Sequence, residues 1–407
     1  MIALPPPTAT PWTDPTRFWP GVLEATAGLD APLGVLELDA LAWNAHDLVR
    51  RAKGTPIRLA SKSLRVREAI ESVLALPGWH GVLAYSLPEA LRLVAAGIDD
   101  VVLGYPVVDR AALAALAADE EAAARITLMI DAVAQLDLVD AAVAPASRPP
   151  LRVALDLDMS IDLPVLGHLG VRRSPLRDAA AAIALGRHVA ARPGFRLVGL
   201  MGYEAQMAGV VDRYGANRAY ERIIAGVKRR SAEVAFARRE AAVAGLRQLT
   251  DLEFVNGGGT GSIEATIGDS SVTEVTAGSG LFGGHLFDRY RTFRPAPAAS
   301  FVLSVVRVPS AGVATLEGGG WIASGPVGPD RRPLPVWPRG LDYEPREQAG
   351  EVQTPVRGGR LAVGDRVVLR HTKSGEPAER LAAYRLVRSG ALVGEWPTYR
   401  GEGATYS

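Results

Sequence analysis

Residues 56–64 read PIRLASKSL. A mostly apolar, strand-like run, Ile57 to Ala60, ends in small polar residues that flank one lysine, Lys62. A helical pattern, LRVREAIESVLAL, begins at Leu64. Lys62 therefore stands where a strand stops and a helix is about to start. Only Lys53, Lys62, Lys228 and Lys373 are lysines, although Lys and Arg together number 45. Arginine serves most surface roles but forms no imine, so a lysine kept at a strand end among small residues is a candidate Schiff-base nucleophile. The plainer alternative is a surface lysine that happens to follow a strand.

Outward from this stretch a strand–helix alternation repeats. Strand-like runs fall at 57–61, 81–86, 100–105, 126–131, 151–158, 195–202, 252–257 and 272–278. Most are near-continuous apolar runs, as parallel strands buried on both faces require. Helical patterns separate them, including LPEALRLVAAG and the arginine-rich 212–243. Eight such units in about 250 residues match a (β/α)8 barrel of TIM type. A doubly wound open sheet is the rival, but its Gly-rich turn follows the first strand; here the Gly-rich turns follow the seventh and eighth. Before the barrel, residues 1–30 are proline-rich and read as an extended arm, and Ala31 to Leu38 reads as a strand with Asp39 capping the next helix. Beyond about residue 290 the chain becomes short β-rich segments punctuated by Gly and Pro, with long loops expected over 324–360. The expected organisation is α/β: an arm and strand at 1–35 that pack with the β domain, a barrel at 36–288 and a β-rich C-terminal domain at 289–407.

Composition narrows the function. The formal net charge is +1 and no basic stripe is concentrated anywhere, which argues against nucleic acid as the main partner. No apolar run is long enough for a bilayer, and MIALPPPTATPWTDP lacks the pattern of a signal peptide, so a cytoplasmic location without a membrane partner is expected. Zero cysteines exclude disulfides, thiolate catalysis and cysteine-ligated metal.

Two glycine clusters, NGGGTGS at 256–262 and AGSGLFGG at 277–284, follow strands seven and eight. Glycine lets backbone N–H groups approach an anion, and Thr260, Ser262 and Ser279 add hydroxyls. Barrels of this type commonly hold a phosphate there. An imine-forming lysine with a phosphate cradle implies pyridoxal 5′-phosphate, an electron sink for a carbanion at an amino acid's Cα.

The sequence resembles the fold-type III pyridoxal-phosphate enzymes, specifically the D-threonine aldolase and D-serine dehydratase branch of the alanine racemase-like group. The resemblance rests on LGVLELDALAWNA, the lysine stretch, AGIDDVVLGYPVV, LVGLMGYEAQ, VNGGGTGS, TEVTAGSGLF and RHTKSGE. It implies that Lys62 carries the cofactor, that Tyr203 lies beside its ring, and that Gly258, Gly259, Thr260, Gly278 and Ser279 surround its phosphate. It also implies a homodimer. Three positions depart from the pattern. His168, in GHLGVRRS, stands where relatives place an arginine on the cofactor phenolate; the histidine could donate the same bond, or an arginine could be displaced within the loop, where Arg172 and Arg173 follow. Relatives hold a divalent cation with a histidine and a Cys or Asp two positions on; here the pair is His371 and Lys373, and an ammonium repels a cation. No metal of that kind is expected, unless Glu376 or Glu379 substitutes. Gly280-Leu281 replaces a tyrosine common in relatives.

The expectation is a pyridoxal-phosphate lyase that cleaves or dehydrates a 3-hydroxy D-amino acid. Lys62 and His371 are the candidate catalytic residues, and Lys373 and Arg172 the candidates for the substrate carboxylate. Asp131, Asp156 and Asp158 end strands four and five, where they either face the pocket or cap the next helix; Tyr105 ends strand three. The competing readings are a racemase, which needs a second base such as Tyr343, Tyr384 or Tyr399; a non-catalytic cofactor carrier; and a Schiff-base aldolase without cofactor.

Overall fold

The computed structural model describes residues 1–406 apart from 165, 214–217 and 327. They fall into two compact units. The first comprises Leu48–Lys62 and Leu74–Ala277 with the extreme C-terminus; the second comprises Met1–Asp47, Ser63–Val73 and Gly278–Thr405.

The first unit is a closed barrel of eight parallel strands: Ile57–Ala60, Trp79–Ala84, Val101–Leu103, Ile126–Ile130, Leu151–Asp156, Phe195–Gly202, Phe254–Gly257 and Glu274–Ala277. Each coincides with one of the eight apolar runs. The eighth strand closes on the first, with Val275 opposite Ile57 and Ala277 opposite Leu59. Packing inside the ladder explains one glycine: a Cβ on Gly199 would lie 2.3 Å from the Phe254 ring. The helix read over 212–243 spans Arg218–Leu246; residues 214–217 of that reading lie outside the described residues. Between strands five and six the chain forms a hairpin, Ile161–Leu163 with Gly167–Leu169, which the apolar pattern did not reveal.

At the N-terminal rim of the barrel a charge cluster crosses the closing seam. Arg58, 1% exposed, donates from Nε to Glu274 at 2.6 Å and from Nη2 to Asp100 at 2.8 Å. His80 completes it, with Nε2 3.1 Å from Glu274 and Nδ1 3.6 Å from Asp100. Hydrogen bonds to Asp100 and Glu274 raise the His80 pKa to about 9.

The second unit is built on a nine-stranded sheet. Its strand Leu33–Glu37 lies antiparallel to Ala299–Ser310 and parallel to Ala383–Arg388. The proline-rich start is not extended throughout: Pro15–Ala25 is a helix, N-capped by Asp14 with Pro15 at its first position. Phe18, Trp19 and Val22 on it pack with Val35, Val302 and Val368. Asp39 does not cap the helix Leu38–Ala52, because it lies inside the first turn and its carboxylate accepts from Ser389. Short strands Leu334–Trp337, Asp342–Tyr343 and Gln353–Arg357 interrupt the stretch expected to be loop.

Because His80 gains its partners only on folding, its contribution is complete below pH 6.5 and is lost as pH rises through about 9. Wild-type unfolding free energy is expected to fall between pH 6.5 and 9.5 by on the order of 1 kcal/mol, after discounting for solvent screening of this partly exposed ring. His80→Asn is expected to remove that slope; urea melts across the interval check it.

Candidate active site

The C-terminal rim of the barrel gathers several of the candidate residues. Lys62 occupies a single 3-10 turn, Ser61–Ser63, directly after the first strand. Ser61 is buried and donates to the Leu83 carbonyl at 3.2 Å, which fixes the turn. The Lys62 side chain is exposed, and its Nζ donates to the Tyr105 hydroxyl at 2.6 Å. Tyr105 arrives from the end of the third strand, where Gly104 N–H still pairs with Ala84 at 2.8 Å. The Arg173 guanidinium lies 5.6 Å from the Tyr105 ring centre and 6.0 Å from that of Tyr203, so one cation serves both aromatic faces. Burial pushes the Tyr203 phenol up, against the pull of Arg173.

The three aspartates divide. Asp131 exchanges hydrogen bonds with Gln135 at the start of the helix Val133–Ala142. Asp158 accepts from Ser160 N–H at 2.7 Å and lies 3.3 Å from Arg177. Asp131 serves the helix start, whereas Asp158, though held locally, also lines the cavity that Asp156 faces. Asp156 lines a cavity with Gly104, Arg173, Ser174 and Tyr203. Its pKa is raised to about 7, first by burial and then by Asp131, with Arg173 opposing.

Of the other predicted residues in this unit, His168 sits on the hairpin, with Nδ1 3.0 Å from Asp162 and Nε2 3.2 Å from the Val171 carbonyl. Arg172 is exposed. Its neighbour Arg173, also exposed, is the one whose guanidinium lies over the two tyrosine rings; the sequence offered both arginines and no means of choosing. The turn after strand seven packs Gly259 against Tyr203, where an added Cβ would lie 3.4 Å from the ring. Gly258 N–H donates to Glu204 at 2.8 Å, Gly259 N–H to Ser262 Oγ at 3.2 Å, and the Thr260 carbonyl accepts from Arg51 at 2.7 Å. Glu204, next to Tyr203, went unread because nothing in its own neighbourhood signals that its partner lies 54 residues away.

The remaining predicted residues belong to the second unit. Gly278 precedes the one-turn helix Ser279–Phe282, and the Ser279 carbonyl accepts from Ser374 at 2.6 Å. His371 is 3% exposed, with Nδ1 3.1 Å from the Ala299 carbonyl and Nε2 3.2 Å from Ser374 Oγ. Burial, then Arg370 and His285, push it down to about 3, so it is neutral at physiological pH. Lys373 donates to the Ser324 carbonyl at 2.6 Å, and Glu376 accepts from Ser324 Oγ at 2.6 Å; Glu379 pairs with Arg65. Tyr343, Tyr384 and Tyr399 are at most 2% exposed. Tyr343 gives its hydroxyl proton to the Pro333 carbonyl, and burial raises the pKa of both Tyr343 and Tyr384.

The alanine racemase N-terminal domain profile matches residues 36–285. The chain is 29% identical over 283 residues to a D-threonine aldolase from an Arthrobacter species, covering 69% of this chain and 65% of that protein. It is 26% identical over 276 residues to 3-hydroxy-D-aspartate aldolase from Paracoccus denitrificans, covering 65% and 62%. The matches thus span just under two thirds of each relative's length. Among solved structures, D-threonine aldolase from Filomicrobium marinum superposes with a TM-score of 0.76 at 24% identity, over 92% of this chain and 96% of that one. D-threo-3-hydroxyaspartate dehydratase from a Delftia species gives 0.69 at 20%, over 91% and 97%. At these identities the structural likeness is one of fold.

Asp156 provides a test of the pocket's electrostatics. A carboxyl whose pKa rises on folding loses stability as pH climbs from the ordinary carboxylate range through about 7. Asp156→Asn removes that cost and is expected to exceed wild type in stability at pH 8 by on the order of 1–2 kcal/mol, with the gain vanishing at pH 4. Chemical denaturation at the two pH values checks the sign.

Proposed function

Because the chain belongs to the alanine racemase N-terminal domain family, we propose that it is a pyridoxal 5′-phosphate-dependent lyase acting on a 3-hydroxy D-amino acid, by retro-aldol cleavage or by dehydration. The observation that carries the reading is the Lys62 amine at the C-terminal end of the first barrel strand, beside Tyr105 at 2.6 Å. The surrounding residues fit the cofactor. Lys62 supplies the amine, Tyr203 and the flat face of Gly259 an aromatic wall, Arg173 a cation for a phenolate, and Thr260 a hydroxyl for the phosphate. When bound, the cofactor supplies an electron sink for the bond broken at Cα.

The chain's own residues do the rest. Tyr105 holds the Lys62 amine and can exchange a proton with it through one hydrogen bond. Arg173 keeps positive charge over both phenols. Asp156, titrating near neutrality, can hold or release a proton at the cavity wall. A racemase needs a second base, and the tyrosines considered for it, Tyr343, Tyr384 and Tyr399, are all buried, which favours the lyase. Dehydration and retro-aldol cleavage differ in which bond is broken, and D-threonine, D-serine and 3-hydroxy-D-aspartate are the substrates to compare.

Two experiments test the reading. Adding pyridoxal phosphate to the protein is expected to produce a band near the visible edge that borohydride erases. Lys62→Ala is expected to lose the band and all activity while keeping the wild-type circular dichroism. A wild-type protein without the band overturns the cofactor assignment.

Activity is also expected to survive dialysis against EDTA, with no stimulation by manganese or zinc. The motive is electrostatic: an ammonium, Lys373, stands two positions after His371 where a cation site needs an anionic or soft ligand. Activity lost to EDTA and restored by manganese would contradict it.

A further inference from the structure

One buried charge cluster has no part in the chemistry just described. Glu204 and Arg239 are fully buried and Asp269 nearly so. Arg239 reaches Glu204 Oε1 at 2.6 Å, donates from Nε to Asp269 at 2.9 Å, and from Nη1 to the Gly202 carbonyl at 3.1 Å. Asp269 spends its other oxygen on Ser271 N–H and Oγ, at 2.9 and 2.6 Å. Taking three charges out of water costs several kcal/mol per ion unless hydrogen bonds replace hydration, and apolar side chains often stabilise a core as well. What a carboxylate offers here that an apolar residue does not is a fixed acceptor. Glu204 Oε2 takes the N–H of Gly258, a residue held at φ +77°. Arg239 lies directly beneath this turn, since a Cβ on Gly257 would come within 2.5 Å of its Nη1. It offsets the Glu204 charge, so the turn is not left hostile to an anion. From another direction Arg51 donates to the Thr260 carbonyl at 2.7 Å while pairing with Glu264 at 2.6 Å.

We propose that Glu204 and Arg51 are positioning residues that clamp the turn at 258–260 at both ends, presetting it as the cradle for the cofactor phosphate. Glu204 withdraws the Gly258 N–H from the anion and fixes the conformation in which the rest of the turn meets it. Preorganised donors bind an anion more tightly than donors that must be ordered first. The proposal rests on the pyridoxal-phosphate reading.

The test compares pyridoxal 5′-phosphate with pyridoxal, which lacks the phosphate, by titrating cofactor-stripped protein and following absorbance and intrinsic fluorescence. Gly258 and Arg239 address different oxygens of Glu204, and an amide at position 204 keeps only one of the two. Glu204→Gln is therefore expected to weaken pyridoxal phosphate about tenfold, the worth of one charged hydrogen bond, while pyridoxal changes by less than about twofold. Equal weakening of both ligands, or of neither, overturns the proposal. If Glu204→Gln does not fold, Arg51→Gln is judged by the same criterion. Wild-type protein that binds neither ligand defeats the cofactor reading itself, a result distinct from any outcome with the variants.

Discussion

The Arg58–Glu274 pair joins the first barrel strand to the eighth, on the seam where the barrel that carries the candidate site closes. Both residues are almost wholly buried, at the N-terminal rim of the seam where the ladder closes. An ion pair in such surroundings is tolerated only with full hydrogen bonding. Arg58 meets that condition through Asp100 as well, and Glu274 through Asn256. All eight strands are parallel, each reached by a crossover connection, so every strand delivers its C-terminal end to one rim. Lys62, Tyr105, Asp156, Tyr203 and Gly258 are far apart in sequence and share that rim for this reason alone.

The two rims handle charge differently. At the N-terminal rim Arg58, His80, Asp100 and Glu274 neutralise one another, and Arg152 and Arg196 share Glu253. At the C-terminal rim Asp156 is buried near Asp131, which raises its pKa, and near Arg173, which opposes the rise, and its pKa moves into the neutral range.

What the sequence made legible was local. All eight barrel strands were readable because a parallel strand buried on both faces writes itself as a short apolar run. Lys62 was readable because lysine is rare here and because strand and helix signals met at it. The helix Pro15–Ala25 was hidden by prolines that read as an extended arm, although Asp14-Pro15 is itself a helix-start signal. Arg173 could not be told from Arg172, and Glu204 was missed, for another reason. Their contacts come from partners brought close by barrel closure, and no periodicity reports that.

His371 carries the same lesson in reverse. Read along the chain, RHTKSGE presents an exposed-looking histidine beside a lysine, and both attract a chemical role. Yet Arg370, on one side of it, pairs with Asp288 at 2.6 Å, and Lys373 is turned to the Ser324 carbonyl. His371 itself is enclosed, with each ring nitrogen already facing an oxygen. A neutral imidazole has one N–H to give. The contact to the Ala299 carbonyl can only be a donation, so the proton belongs on Nδ1 and Nε2 is left as an acceptor facing Ser374. The Ser374 hydroxyl has a single proton, which it can direct either to that nitrogen or to the Ser279 carbonyl at 2.6 Å. His371 therefore links strand Arg366–Arg370 to the segment that opens with Gly278 through a chain of hydrogen bonds with one proton too few.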